Sequence, residues 1–185
     1  MMELVRPGMA HLPSYQAALR RGFSPDNILK LAATRAELAE IEKDAALFVA
    51  RMVDREAAGG PIKLPDGSQV ARLPGYRLWI WYGEFCGSIG FRWQPGSSEL
   101  PAHVLGHIGY AVVPWKQRLG YGTRALAIML IHARAEGLAH VELTTDLDNA
   151  PSRKVVVANG GVEVGHFTKP PSLGGAPSVR YRIVL

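Results

Sequence analysis

The chain has 185 residues, 48% of them hydrophobic and 20% charged, with a formal net charge of +5 and a pI near 9.6. These values exclude disordered and collagen-like classes and fit a single domain, 1–185, large enough to bury a continuous core. No apolar run approaches the roughly 20 residues that span a bilayer, and the single cysteine, Cys86, excludes an internal disulfide.

A reducing cytoplasmic location without a membrane partner is therefore expected. The N-terminus, with Glu3, Pro7 and Pro13, does not read as a secretory leader. Cys86 lies in an apolar stretch and reads as a small core residue. The basic balance suits nucleic acid or an anionic small molecule equally. The basic clusters Arg20–Arg21 and Ser152–Lys154 are short and come without zinc-finger spacing or a basic heptad region, which disfavours nucleic acid.

In chain order, MELVRP predicts a short edge strand stopped by Pro7 and Gly8, and PSYQAALRRGF a first helix. TRAELAEIEKDAALFVARMVDRE predicts one long helix capped by Thr34, with Glu37 at the capping-box offset and Leu38, Ile41, Ala45, Leu47 and Val49 in its apolar stripe. AAGGPIKLPDGSQVARLPG reads as a loop with a small hairpin or crossing strand. YRLWIWYGEFCGSIGFRW reads as two strands joined around Gly83–Glu84, with Trp79 and Trp81, like Trp93, serving the core. After a loop, HIGYAVV predicts a strand ended by Pro114, followed by a helix from Gly120 to about Glu136 and a strand over HVELTTD. NAPSRKVVVANGG predicts a short helix with Asn149 or Asp148 as cap, Pro151 in its first turn and Gly160–Gly161 at its end. Two strands, VEVGHFTK and VRYRIVL, flank a Pro/Gly/Ser loop. The result is a mixed α/β fold, in which the crossover at 107–146 should place its two strands parallel and adjacent.

Gly120 and Gly122 stand two residues apart at the mouth of a helix, where glycine carries a cost. Bare backbone there lets a phosphate approach the unsatisfied N–H groups of the helix start, with Lys116, Arg118 and Arg124 nearby. The spacing matches neither a P-loop nor a dinucleotide fingerprint. A tight turn for helix-to-sheet packing explains the glycines equally well.

The surrounding residues are more specific. VVPWKQRLGYGTRAL resembles the Gln/Arg-x-x-Gly-x-Gly/Ala signature of the GNAT superfamily of N-acyltransferases, matched here by Gln117, Gly120 and Gly122. DNAPSRKVVVANGG resembles the same family's Asn-x-x-Ser element, matched by Asn149 and Ser152, though helix capping alone would also account for both. The resemblance is strong over 107–168 and weak over 1–75. It implies a mostly antiparallel central sheet, splayed at the cofactor site, with one parallel β–α–β unit. It also implies that backbone amides of Arg118, Leu119, Gly120, Tyr121, Gly122 and Thr123 hold the pyrophosphate of acetyl-coenzyme A. Main-chain contacts to its pantetheine would come from Ala111, Val112 and Val113. Direct acetyl transfer to a primary amine of a small molecule or peptide is the implied activity, with a non-catalytic acyl-coenzyme A-binding module as the alternative. A homodimer is compatible with the sequence.

Two positions depart from the family pattern. His107 stands where many members have Glu, and serves either as a base near neutral pH or as a structural residue. Val156 stands where many have the Tyr that protonates the departing thiolate; Tyr110 or Tyr121 is then the replacement, or the thiolate leaves unassisted. Glu84 reads as a solvated turn residue before a base. His103 and His107 have helical metal-ligand spacing but lie in a loop-to-strand stretch, so no metal is expected. The acceptor should enter beside the N-terminal helices and the Pro170–Ser178 loop.

Overall fold

A computed structural model describes residues 1–63 and 67–185. In chain order its elements are β1 (Glu3–Val5), α1 (Leu12–Arg20), α2 (Leu31–Lys43), α3 (Ala45–Ala50), β2 (Val53–Asp54), β3 (Ile62–Lys63), β4 (Gln69–Val70), β5 (Gly75–Trp81) and β6 (Phe85–Arg92). There follow β7 (Ile108–Val112), α4 (Tyr121–Ala135), β8 (His140–Asp146), α5 (Ala150–Ala158), β9 (Val162–Thr168) and β10 (Pro177–Val184). The small hairpin expected before β5 is the β3–β4 pair; residues 64–66 of that stretch lie outside the described residues.

The expected long N-terminal helix is two helices. Asp44 is extended (φ −158°, ψ 91°) and its carboxylate accepts from the Leu47 amide at 2.8 Å, so it ends α2 and caps α3. Aspartate favours that half-in position over a helix interior. Thr34 is not a cap. It lies inside α2, buried, with its hydroxyl donating to the Phe23 carbonyl at 3.0 Å. Glu37 makes no capping box; it accepts from the Tyr15 hydroxyl and pairs with Arg77 at 3.3 Å, tying α2 to α1 and β5.

Strand alternation sends successive β5 side chains to opposite faces. Leu78 and Ile80 join a core with Ile89, Phe91, Leu126 and Met129, while Trp79 packs with Tyr15, Phe23 and Phe85 under the N-terminal helices. Tyr15 stacks on Trp79 with centroids 4.7 Å apart. Cys86 is fully buried in the first of these cores, and burial pushes its thiol pKa up, away from nucleophilic use.

The strands form two main sheets, β1-β5-β6-β7 (with β2 also on β5) and β8-β10-β9, and each of their ladders is antiparallel. The β7–α4–β8 crossover is present, but the expected adjacency is confined to the strand beginnings. There the His107 amide donates to the Glu142 carbonyl at 2.8 Å. No ladder joins β7 to β8 among the described residues. The central sheet is thus opened along one edge of β7. Among the described residues no helix is long and apolar enough to cross a membrane.

Candidate active site

The loop between β7 and α4 settles what its two glycines do. A 3-10 turn over Pro114–Lys116 leads to Arg118 at φ 63° and Gly120 at φ 79°, both left-handed, before α4 begins at Tyr121. The first helical hydrogen bond is Arg124 N–H to the Gly120 carbonyl at 3.0 Å. The amides of Arg118, Leu119, Gly120, Tyr121, Gly122 and Thr123 have no acceptor among the described residues, and the loop over 117–120 is exposed. A Cβ on Gly120 would meet nothing, so its glycine is required by the left-handed backbone alone. Gly122 is different. It is buried, and a Cβ there would lie 3.4 Å from the Tyr110 ring and 3.5 Å from Val155. Gly120 bends the loop, and Gly122 lets α4 approach β7 and α5. The packing reading holds for Gly122, while Gly120 serves the left-handed turn before α4.

Of the cations expected here, Lys116 is engaged by Glu84 at 2.6 Å, so Glu84 is an ion-pair partner and not a free base. Arg118 and Arg124 are exposed and have no ion pair among the described residues.

The open strand edge follows from register. Val113 N–H donates to the Cys86 carbonyl at 3.0 Å, Arg92 N–H donates to the His107 carbonyl at 2.9 Å, and Ser88 stands opposite Ala111. Antiparallel alternation then turns the main chain of Gly109, Ala111 and Val113 toward β6, and that of Ile108, Tyr110 and Val112 toward the edge that β8 leaves free. Ala111 and Val113 therefore do not present the backbone expected of them; Val112 does, and Tyr110 joins it. The Gln117 side-chain amide donates to the Val112 carbonyl at 3.4 Å.

Across that edge stands the start of α5. Asn149 caps it, accepting from the Ser152 amide at 3.1 Å, and the Ser152 hydroxyl lies 2.9 Å from the Tyr110 hydroxyl. Burial raises the Tyr110 pKa against the lowering effect of that hydrogen bond. Val156, one turn on, is fully buried and leaves no polar group at its position. The phenol near Ser152 thus comes from β7. Asn159 donates to the Thr123 and Val155 carbonyls at 3.2 and 2.8 Å, stitching α5 to α4, a tie with no local signal in the sequence. Tyr121 lies apart from this group, its ring 6.3 Å from that of Tyr82.

His107 occupies a structural position. It is fully buried, and its Nδ1 accepts from the Glu142 amide at 2.9 Å. Burial lowers its pKa from 6.5 to about 4, which keeps it neutral with the proton on Nε2. The lone pair a base needs is already taken. His103 lies elsewhere, bordering two cavities of about 320 and 360 Å³ on the side of the N-terminal helices. Among the described residues no three metal-ligating side chains converge. The smaller cavity is walled by Asn27 and Ile28 after α1, Gly106 and Ile108 at the start of β7, Thr144 on β8, and Lys169 and Leu173. The α1–α2 connection and the 170–178 loop thus both reach this cavity, through Asn27, Ile28 and Leu173.

Residues 37–160, more than half of the chain, match the model of the acetyltransferase (GNAT) family. The chain belongs to the GNAT family. Its chemistry is that of an N-acetyltransferase, and a non-catalytic binding module is not favoured. No curated protein matches it. Among solved structures, this GNAT chain is similar to RimL, the ribosomal L7/L12 alpha-N-protein acetyltransferase in complex with coenzyme A, at 15% identity and TM-score 0.67, covering 100% of this chain and 94% of that one. It is similar to the microcin C7 self-immunity acetyltransferase MccE in complex with acetyl-CoA and AMP, at 14% identity and TM-score 0.64, covering 100% and 92%. It is also similar to Mycobacterium smegmatis RimJ in complex with CoA-disulfide, at 18% identity and TM-score 0.63, covering 99% and 81%. At these identities the likeness establishes the fold.

Proposed function

We propose that this GNAT enzyme uses acetyl-CoA as donor and acetylates a primary amine of a small molecule or peptide by direct transfer. The observation that carries this reading is the run of unpaired amides from Arg118 to Thr123 at the start of α4, continuous with the free edge of β7. Those amides and the positive end of the helix suit a pyrophosphate. The main chain of Tyr110 and Val112 offers strand-like pairing to the pantetheine amides. Asn149 and Ser152 stand across the opening, at the thiol end. Structures of RimL with coenzyme A and of MccE with acetyl-CoA support the same donor.

When bound, acetyl-CoA supplies the acetyl group as an activated thioester. Amides along the opened edge polarise a carbonyl as an oxyanion site does. The Tyr110 phenol, protonated at neutral pH, holds the proton that a departing thiolate requires, in place of the side chain missing at 156. His103, at the border of both cavities, is assigned the deprotonation of the acceptor amine that His107 is too buried to perform.

Calorimetric titration with acetyl-CoA tests the donor: saturable binding is expected, and no binding would sink the reading. Tyr110→Phe should lower kcat by about 100-fold with little change in acetyl-CoA affinity. Wild-type turnover in that variant would return the thiolate to unassisted departure. His103→Ala should reduce thiol release at neutral pH without weakening donor binding; unchanged turnover would remove it from the mechanism.

A further inference from the structure

Several arginines of the sheets are matched to acids: Arg77 to Glu37 at 3.3 Å, Arg153 to Glu163 at 3.0 Å and Arg182 to Glu142 at 2.7 Å. Arg92 is not. Its side chain, exposed at the end of β6, has no hydrogen bond or ion pair among the described residues and borders both cavities.

The smaller cavity is one-sided in charge. Arg92 and Lys169 contribute to its wall, and none of its lining residues is acidic. Lys169 is held by Asp146, which leaves the Arg92 guanidinium as the uncommitted cation of that wall. The Thr144 hydroxyl is spent on the Leu105 carbonyl at 2.6 Å. The Arg92 amide donates to the His107 carbonyl, which sets this residue beside the first residues of β7 and the opened edge. At about 320 Å³ the space suits a small molecule or the first residue or two of a peptide.

We propose that Arg92 recognises an oxyanion carried by the acceptor, a carboxylate or a phosphoryl group, so that the enzyme selects amines that are also anions. This rests on the acetyltransferase reading above. A planar guanidinium with free N–H groups engages either group through paired charge-assisted hydrogen bonds. The same cavity disfavours polyamines, whose additional charges would meet Arg92 and Lys169.

The test separates this claim from the donor reading. Succinate and inorganic phosphate are titrated separately into the coenzyme A-saturated protein and into its Arg92→Gln variant. At least one should bind the wild type, and bind the variant ten-fold or more weakly, while coenzyme A affinity stays the same in both. The arm that binds identifies carboxylate or phosphoryl as the recognised group. Equal affinities for both proteins, or no binding of either anion to the wild type, would overturn the assignment while leaving the acetyltransferase reading intact. Loss of coenzyme A binding by the wild type would instead strike the donor reading. If succinate is the anion that binds, an amino acid should be a better acceptor than its amide, and Arg92→Gln should erase the difference through KM; an amide then acetylated as efficiently as its acid by the wild type refutes anion selection. Because the Arg92 side chain makes no bond within the protein, the substitution should leave the fold unchanged.

Discussion

Gly120→Glu should weaken acetyl-CoA binding markedly while the protein keeps its fold. Gly120 lies in an exposed loop at φ 79°, with open space where a side chain would project. The new carboxylate would share that space with the proposed pyrophosphate. Two like charges about 4 Å apart repel by about 1 kcal/mol in water and about 4 kcal/mol near a protein surface, so affinity should fall roughly 5- to 1000-fold. A left-handed backbone also penalises glutamate by roughly 1–2 kcal/mol. Gly120→Asn controls for that part, because asparagine tolerates the conformation without adding charge. Calorimetry with acetyl-CoA should therefore show near-wild-type binding for Asn and binding weakened by at least several-fold for Glu. Equal binding by Glu and wild type would refute the cradle.

His107→Ala should act mainly on stability. The substitution removes a fully buried ring and leaves the Glu142 amide without its acceptor. Such losses cost about 2–4 kcal/mol. His107→Asn, whose side-chain oxygen can still accept from Glu142, should recover part of the difference. Stability should also depend on pH in a defined window. Folding lowers the His107 pKa from 6.5 to about 4, so the unfolded chain takes up the proton first as pH falls. The contribution of the neutral ring is complete above pH 6.5 and is lost as pH drops toward 4. That loss is worth on the order of 3 kcal/mol. Urea midpoints at pH 7 and pH 5 should diverge for the wild type and converge for both variants. A His107→Ala protein with an unchanged midpoint and collapsed turnover would restore the catalytic assignment.

What could be read from the chain was what local sequence determines. The β7–loop–α4 segment was legible because glycine spacing, the proline stop and the helical stripe sit within about thirty residues. Asn149 was legible as a cap for the same reason. The break at Asp44 was visible in principle, since an aspartate three residues before Leu47 is a cap signal, but the apolar stripe on both sides masked it. The direction of the main chain at Ala111, Val112 and Val113 was not legible: it depends on pairing parity with β6, and a one-residue change reverses it. His107 looked like a base because its partner, the Glu142 amide, is thirty-five positions away. Arg92 gave no signal at all. Its significance is that no acid lines the smaller cavity, which emerges only when β6, β7, β8 and the 169–173 segment meet.

The unpaired edge of β7 also bears on how the protein persists in solution. A strand with free N–H and C=O groups is a template for another strand, including one from a second partly unfolded copy. Donor bound along that edge, as proposed, would occupy those groups and favour the folded form by mass action. At one hundred times its dissociation constant it would add about 2.7 kcal/mol. The opening that admits the donor would thus make the enzyme's resistance to aggregation rise and fall with donor supply.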